Sequence, residues 1–294
     1  MSYELTGRAT TRLFALGVLL VGLSAPLHAA YPVTVKDARG KSVTIKAKPV
    51  RIVSLTPSNT EILFAVGLND RIVGVTRYCD YPTQAKKKAK VGDMTISAEA
   101  VAVLRPDLVL AHAKINDDVI PRLERLGMTV FAIDPKSLDQ VISDIRTVGK
   151  ITARPRTADS VARRMESDVA AVKSSRSGKR SRNVLVVIQA NPLWCAGPKT
   201  FVDEMITIAR GRNVAYDARP GFNTFSRELA LKRNPDVVVV GIKDDADLFL
   251  KSPLWRHTNA VRHNRVHVIE GDFMVRAGPR LTIGLKRLAE KLGY

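Results

Sequence analysis

One arrangement of residues occurs twice in this chain and narrows the possible folds more than any other. SAEAVAVLRPDLVLA, beginning at Ser97, is echoed by SRELALKRNPDVVVV, beginning at Ser226. In both, Ser is followed by Glu two residues on, by Pro nine on and by Asp ten on, and then by an unbroken apolar run. Ser starts a helix by accepting from its first-turn amides, and Pro-Asp ends it. A short apolar run bounded by such signals reads as a strand buried on both faces, which belongs to a parallel sheet covered by helices. Two copies of this unit imply two lobes of similar design with a cleft between them.

The remaining periodicities fill in the lobes. Ile52 to Leu55 reads as a buried strand broken by Thr56-Pro57, and Ser58 and Glu61 then stand in capping-box register at the head of an apolar helix closed by Gly67. A strand over Arg71 to Val75 makes the pair parallel, since a helix intervenes. Leu108 to Ala111 is the next strand, followed by a helix over Asp117 to Leu126 and a strand over Met128 to Ile133. TEILFAVG from Thr60 and TFVDEMITIARG from Thr200 both read as Thr-started helices closed by glycine, at Gly67 and Gly211. Between the halves, Val161, Met165, Val169 and Val172 form one apolar stripe on a helix spanning Thr157 to Ser174, and a fresh strand starts at Asn183. The expected organisation is α/β: an N-terminal lobe over 31–156, a connecting helix over 157–178 and a C-terminal lobe over 179–294. Both lobes are expected to be Rossmann-like with mainly parallel sheets, joined by that single long helix.

Residues 1–30 have the layout of a secretory signal peptide: Arg8 and Arg12, then the apolar run Leu13 to Leu23, then Pro26 and Ala29-Ala30. The run of about 11 residues is short for a bilayer core that needs roughly 20, so a cleaved leader and a periplasmic location are expected, with a retained anchor as the alternative. The net charge of +19 would suggest nucleic-acid binding in a cytoplasmic chain. Export and the absence of an aromatic-interleaved basic platform argue against a nucleic-acid partner, and the charge reads as solvated faces next to anionic lipid or an anionic ligand. Cys79 and Cys195 either pair once or stay free.

No nucleophile elbow, zinc-protease motif or phosphate-binding loop is present, and His263 and His267, although four residues apart and near His257, flank a strand and so read as facing solvent or opposite sides instead of forming a metal site. A binding protein with no catalytic residues and no metal of its own is therefore expected.

The segments RIVSLTPSNTEILFAVGLNDRIVGVTRYCDYP, AEAVAVLRPDLVLA, NPLWCAGPKTFVDEMITIARGRNVA and FMVRAGPRLTIGLKRLA resemble the cobalamin-type periplasmic binding proteins of ABC importers, within a larger group that also includes haem and iron-siderophore binders. The resemblance covers roughly Arg51 to Tyr294. It implies cobalamin or a related corrinoid as transported ligand, with haem or a ferric siderophore as the alternative, and a monomer that delivers it to a dimeric ABC permease at the inner membrane. By the same resemblance Tyr78, Trp194, Phe222, Asp272, Phe273 and Arg276 line the ligand site, and Glu99 and Glu228 dock on the permease. His112 stands where the cobalamin branch can carry tryptophan; with Tyr78 it would provide the nitrogen and oxygen ligands of a haem. Aromatic faces suit a large flat ligand, and Asp and Arg suit peripheral amides.

Overall fold

The computed structural model describes residues 1–2 and 31–293. The signal-peptide expectation therefore lies almost wholly outside the described residues, among which no helix is long and apolar enough to cross a membrane.

A hairpin of β1 (Val33–Lys36) and β2 (Ser42–Ile45) precedes the first lobe. That lobe contains β3 (Ile52–Ser54), α1 (Pro57–Ala65), β4 (Ile72–Val75), β5 (Ala89–Lys90), α2 (Ala98–Val103), β6 (Leu108–His112), α3 (Ile120–Arg125), β7 (Val130–Ile133) and α4 (Leu138–Ile151). The 22-residue α5 (Pro155–Arg176) follows. The second lobe runs through β8 (Arg182–Gln189), β9 (Trp194–Ala196), α6 (Phe201–Ile208), β10 (Gly211–Asn213), β11 (Phe222–Thr224), α7 (Arg227–Lys232) and β12 (Val237–Val240). It ends with α8 (Lys243–Lys251), α9 (Asn259–Arg262), β13 (Val266–Val268), α10 (Asp272–Val275) and α11 (Leu281–Lys291).

The first sheet has the order β5-β4-β3-β6-β7 and is parallel throughout. In the second, β10, β8, β12 and β13 are parallel neighbours, while β9 and β11 add an antiparallel edge. Each sheet is drawn from one continuous stretch of chain. The central strands are buried along their length, as their Val/Ile/Leu runs require, and α5 packs Ala158, Ala162, Met165 and Val172 into the main core. Gly149 lets α4 and α5 touch, because a Cβ there would collide with Ala158 Cβ and lie 3.0 Å from the Arg154 carbonyl oxygen.

The sequence echo is reproduced at atomic level. Ser97 Oγ accepts from the Ala100 amide at 3.0 Å and Ser226 Oγ from the Leu229 amide at 3.1 Å. Both helices end at a non-glycine residue in the left-handed region, Arg105 and Asn234, each at φ 45°. Asp107 and Asp236 then clasp the neighbouring strand in the same way. The Asp107 amide donates to the Arg51 carbonyl while its carboxylate accepts from the Val50 and Arg51 amides. The Asp236 amide donates to the Asn183 carbonyl while its carboxylate accepts from the Asn183 amide.

Local details depart from the sequence expectations. Thr56, not Ser58 or Thr60, caps α1, with Pro57 in the first turn, so the Ser58–Glu61 capping box does not form. The reason is that the Pro57 ring suits the first helical position and moves the cap one residue upstream of it. The helix begun by Thr200 ends at Ile208; Arg210 takes the left-handed position and Gly211 opens β10. The helix after β6 begins at Ile120, because His112 and Asn116 hold residues 112–119 in turns. Cys79 and Cys195 are both buried and free.

Candidate functional site

Parallel strands place ligand-facing loops at their carboxyl ends. His112 ends β6, Asp134 follows β7, and Lys199-Thr200 leads into α6. These residues, with Ser58 at the head of α1 and Phe222 on β11, wall a cavity of about 550 Å³ between the lobes. Phe222 stands edge-on to Phe201, with ring centroids 5.9 Å apart. A second cavity of about 250 Å³ is lined by Tyr78, Met94, Asn116 and Arg276 and shares Ser58, Ile115 and Val275 with the first. A third, of about 160 Å³ and mostly apolar, lies at the ends of β8 and β12 and also shares Val275. Together they form one cleft, with Val275 of α10 at its centre.

The loop that presents Tyr78 is anchored by its neighbour. Cys79 Sγ lies 3.1 Å from both Thr60 Oγ1 and Thr76 Oγ1, and Thr60 Oγ1 is 2.8 Å from Ser54 Oγ. With the thiol turned inward, alternation along the chain turns Tyr78 outward, 52% exposed. Asp80 turns toward the other lobe, where an ion cluster binds the two halves.

That cluster centres on Glu61, whose side chain is 2% exposed. Arg280 donates to it twice, Nε to Oε2 at 2.8 Å and Nη2 to Oε1 at 2.5 Å. Arg276 Nη1 lies 3.2 Å from Glu61 Oε1 and donates to Asp80 Oδ1 at 2.6 Å, and its Nε is 2.9 Å from Asp272 Oδ1. The Arg280 guanidinium also stacks 3.9 Å from the Tyr81 ring centroid. Burial alone would lower the Arg276 pKa, but the carboxylates of Asp80, Asp272 and Glu61 more than offset it and the pKa is raised. Burial is likewise outweighed at Asp80, which Arg276 holds below the usual carboxylate range. A second tie crosses the lobes where Glu204 of α6 accepts from the Leu138 amide at the start of α4, at 2.6 Å.

His112 is committed to its own loop. Its Nδ1 accepts from the Lys114 and Ile115 amides at 3.2 and 3.4 Å, leaving Nε2 3.6 Å from Asp134 Oδ1. Burial lowers its pKa below the ordinary imidazole value, against the pull of Asp134, so the ring is neutral near pH 7. Lys136 pairs with Asp134, and Lys114 and Lys199 complete a cationic stretch of cavity wall.

The residues expected at the site divide into three groups. Tyr78, His112, Phe222 and Arg276 line the cleft. Trp194, 40% exposed, pairs with Gln189 and Thr224 at the rim of the second sheet and is outside the cavity walls. Asp272 serves the ion cluster, and Phe273 lies under the Arg280 and Arg287 guanidiniums, 5.1 and 4.6 Å from its centroid. Glu99 and Glu228 occupy the first turns of α2 and α7, exposed; Glu99 pairs with Arg122 at 3.1 Å. Glu61, Arg280 and Lys199 were not anticipated; Arg276 and Arg280 bracket the loop between α10 and α11, and no local pattern marks them as partners of Glu61. No cluster of histidine, cysteine or carboxylate side chains suited to a metal ion occurs among the described residues.

A cleft between two α/β lobes bridged by one long helix is the architecture of solute receptors of the helical-backbone kind. The chain belongs to the periplasmic binding protein family, whose model matches residues 52–272. It is 37% identical over 270 residues to an uncharacterized ABC transporter substrate-binding lipoprotein of Bacillus subtilis, YvrC, covering 89% of this chain and 86% of that one. It is 29% identical over 272 residues to a cobalamin-binding protein of Halobacterium salinarum, covering 88% and 74%. A solved periplasmic heme-binding protein of Roseiflexus sp. RS-1 matches with a TM-score of 0.74 at 30% identity, over 82% of this chain and 97% of that one. The protein is thus a solute-binding component of an ABC importer and not an enzyme.

Proposed function

We propose that this receptor captures cobalamin or a related corrinoid in the interlobe cleft in the periplasm and presents it to a dimeric permease. The observation that carries this reading is that Tyr78 from the first lobe and Phe222 from the second line neighbouring cavities that share Ser58, Ile115 and Val275, an arrangement suited to a broad, flat, mostly apolar ligand. The relatives named for cobalamin and vitamin B12 support it. His112 favours it over haem, because its Nδ1 is already occupied and its Nε2 faces Asp134.

The test is titration of the purified chain with cyanocobalamin and with haemin, followed by visible spectroscopy and calorimetry. Phe222→Ala is expected to weaken corrinoid binding by about 1–3 kcal/mol, the scale of a lost buried aromatic contact. Trp194→Ala at the rim is expected to change it less. A haem spectrum that depends on Tyr78, with no corrinoid binding, would instead select the haem alternative.

Glu99 and Glu228 are the proposed permease contacts, one on each lobe at equivalent helix starts. Such a pair suits a two-fold partner. With both replaced by Gln, ligand affinity is expected to hold while receptor-stimulated ATP hydrolysis by the permease falls. The difference from wild type should narrow as salt is raised, since exposed charges are screened. Unchanged stimulation would reduce both residues to helix-end decoration.

A further inference from the structure

The cleft does not account for a net charge of +19, and a group of cations without carboxylate partners among the described residues lies at the opposite end of the second lobe. The register of the second sheet brings its strand starts into line. Arg212 on β10 is level with Asn183, next to Arg182 at the start of β8, and the Val238–Val266 pairing sets Arg265 at the head of β13. Neighbouring strands are about 4.8 Å apart, so the backbones that carry these side chains lie within about 5–15 Å of one another at this end of the sheet, with Arg212, level with Asn183, on the face opposite to Arg182. The last turn of α11 ends in the same place. The Leu292 carbonyl accepts from Arg182 Nε at 3.3 Å and from Arg176 Nη2 at 2.9 Å, and Lys291 is exposed beside it. Arg180 precedes β8 and is also exposed.

Three features indicate what this face would meet. None of Arg180, Arg182, Arg212, Arg265 and Lys291 forms an ion pair with a carboxylate among the described residues. The nearest acid in the array, Asp236, is already taken up by the Asn183 amide and the Asn259 side chain, at 2.9 and 2.8 Å. Burial depresses the Arg182 pKa, and Arg265 and Arg180 depress it further; His267 is lowered by burial and then by Lys291 and Arg265, as crowded like charges require. Finally, none of the large exposed apolar side chains among the described residues lies in segments 176–182, 210–212, 262–266 or 288–293. A protein partner would meet an apolar core here, and single-stranded nucleic acid would meet stacking aromatics. Charge without an apolar anchor instead fits a surface that supplies many mobile anions.

We infer that this end of the C-terminal lobe, carrying Arg180, Arg182, Arg212, Arg265 and Lys291, is an electrostatic contact for anionic lipid headgroups. It is separated from the cleft by the length of β8, eight residues or about 23 Å. The receptor can therefore rest on the membrane with its cleft free. The contact is independent of which solute the cleft holds.

The experiment is co-sedimentation of the full chain with vesicles of phosphatidylcholine alone and of phosphatidylcholine with one third phosphatidylglycerol. Binding to neutral vesicles reports the N-terminal apolar segment and should be the same in every variant. Each basic side chain at an anionic surface raises partitioning by about five-fold. The triple variant Arg180→Gln, Arg265→Gln, Lys291→Gln is thus expected to lose about 100-fold of the phosphatidylglycerol-dependent binding. A control with the same charge change in the first lobe, Lys46→Gln, Lys86→Gln, Lys87→Gln, should lose less than about 10-fold. If the first triple does not fold, Arg180→Gln alone, at an exposed position, should lose about five-fold. Equal losses in both triples overturn the inference, because net charge alone would then explain the binding. A short DNA duplex bound as tightly as the anionic vesicles, and lost in the same variant, also overturns it in favour of nucleic acid.

Discussion

Replacing Glu61 with Gln is expected to lower the free energy of unfolding by about 3 kcal/mol or more, the scale of removing one partner from a buried ion pair. Gln keeps the shape of the side chain but leaves Arg280, itself largely buried, with only Asp272 at 3.4 Å as a charged partner. Arg276 retains Asp80 and Asp272 and is the less affected of the two. By contrast, Asp272→Asn removes a carboxylate that is 39% exposed and should cost less than about 1 kcal/mol. Denaturant unfolding at low and high salt checks both. The Glu61 loss should persist in high salt because the pair is shielded from solvent. A double-mutant cycle with Arg280→Ala should show strong coupling. A loss below about 1 kcal/mol would mean that the Glu61 cluster contributes little to holding the lobes together.

The second large effect concerns Asp144 on α4, whose pKa is pushed up to about 7, first by burial and then by the charge of Asp134. A carboxyl that titrates higher folded than unfolded binds more protons in the native state, so stability falls as pH rises between the two pKa values. Below about pH 4 the group is protonated in both states and costs nothing. Above about pH 7 the folded protein bears the whole burden of burying the charge, on the order of 4 kcal/mol for such a shift. Asp144→Asn is therefore expected to match wild type in acid and to gain stability progressively from about pH 4 to pH 8. Thermal melts across that range test the slope. A constant difference between the two proteins would show that Asp144 ionises freely in the folded state.

Much of this architecture is legible from local chemistry. Ser97 and Ser226, the Pro-Asp stops and the all-apolar strands after them act within a dozen residues, and each is recovered where the spacing places it. The helix at 138–151 carries an equally strong signal, Ser137 followed by apolar residues at 138, 141, 142, 145 and 148, that was absent from the expectations. The cleft was legible in part. Aromatic type marks Tyr78 and Phe222 as suited to a flat ligand, but nothing local distinguishes them from Trp194, whose position at the rim depends on a sheet edge formed by residues 30 positions downstream. Glu61 is the clearest case of what sequence cannot disclose. Three residues after a serine it looks like half of a capping box, and only the three-dimensional fold brings it to arginines at the far end of the chain.

The ion cluster also bears on the order in which the molecule assembles. Glu61 meets Arg276 and Arg280 across sequence separations of 215 and 219 residues, whereas every strand pair closes within its own lobe. Loop closure of that length brings no reward until both ends are already structured. The sheets, each from contiguous chain, are therefore expected to form first and the cluster to be consolidated late. Its interactions then act on the rate of unfolding more than on the rate of folding. The persistence of the assembled cleft, rather than the speed at which it forms, depends on this contact.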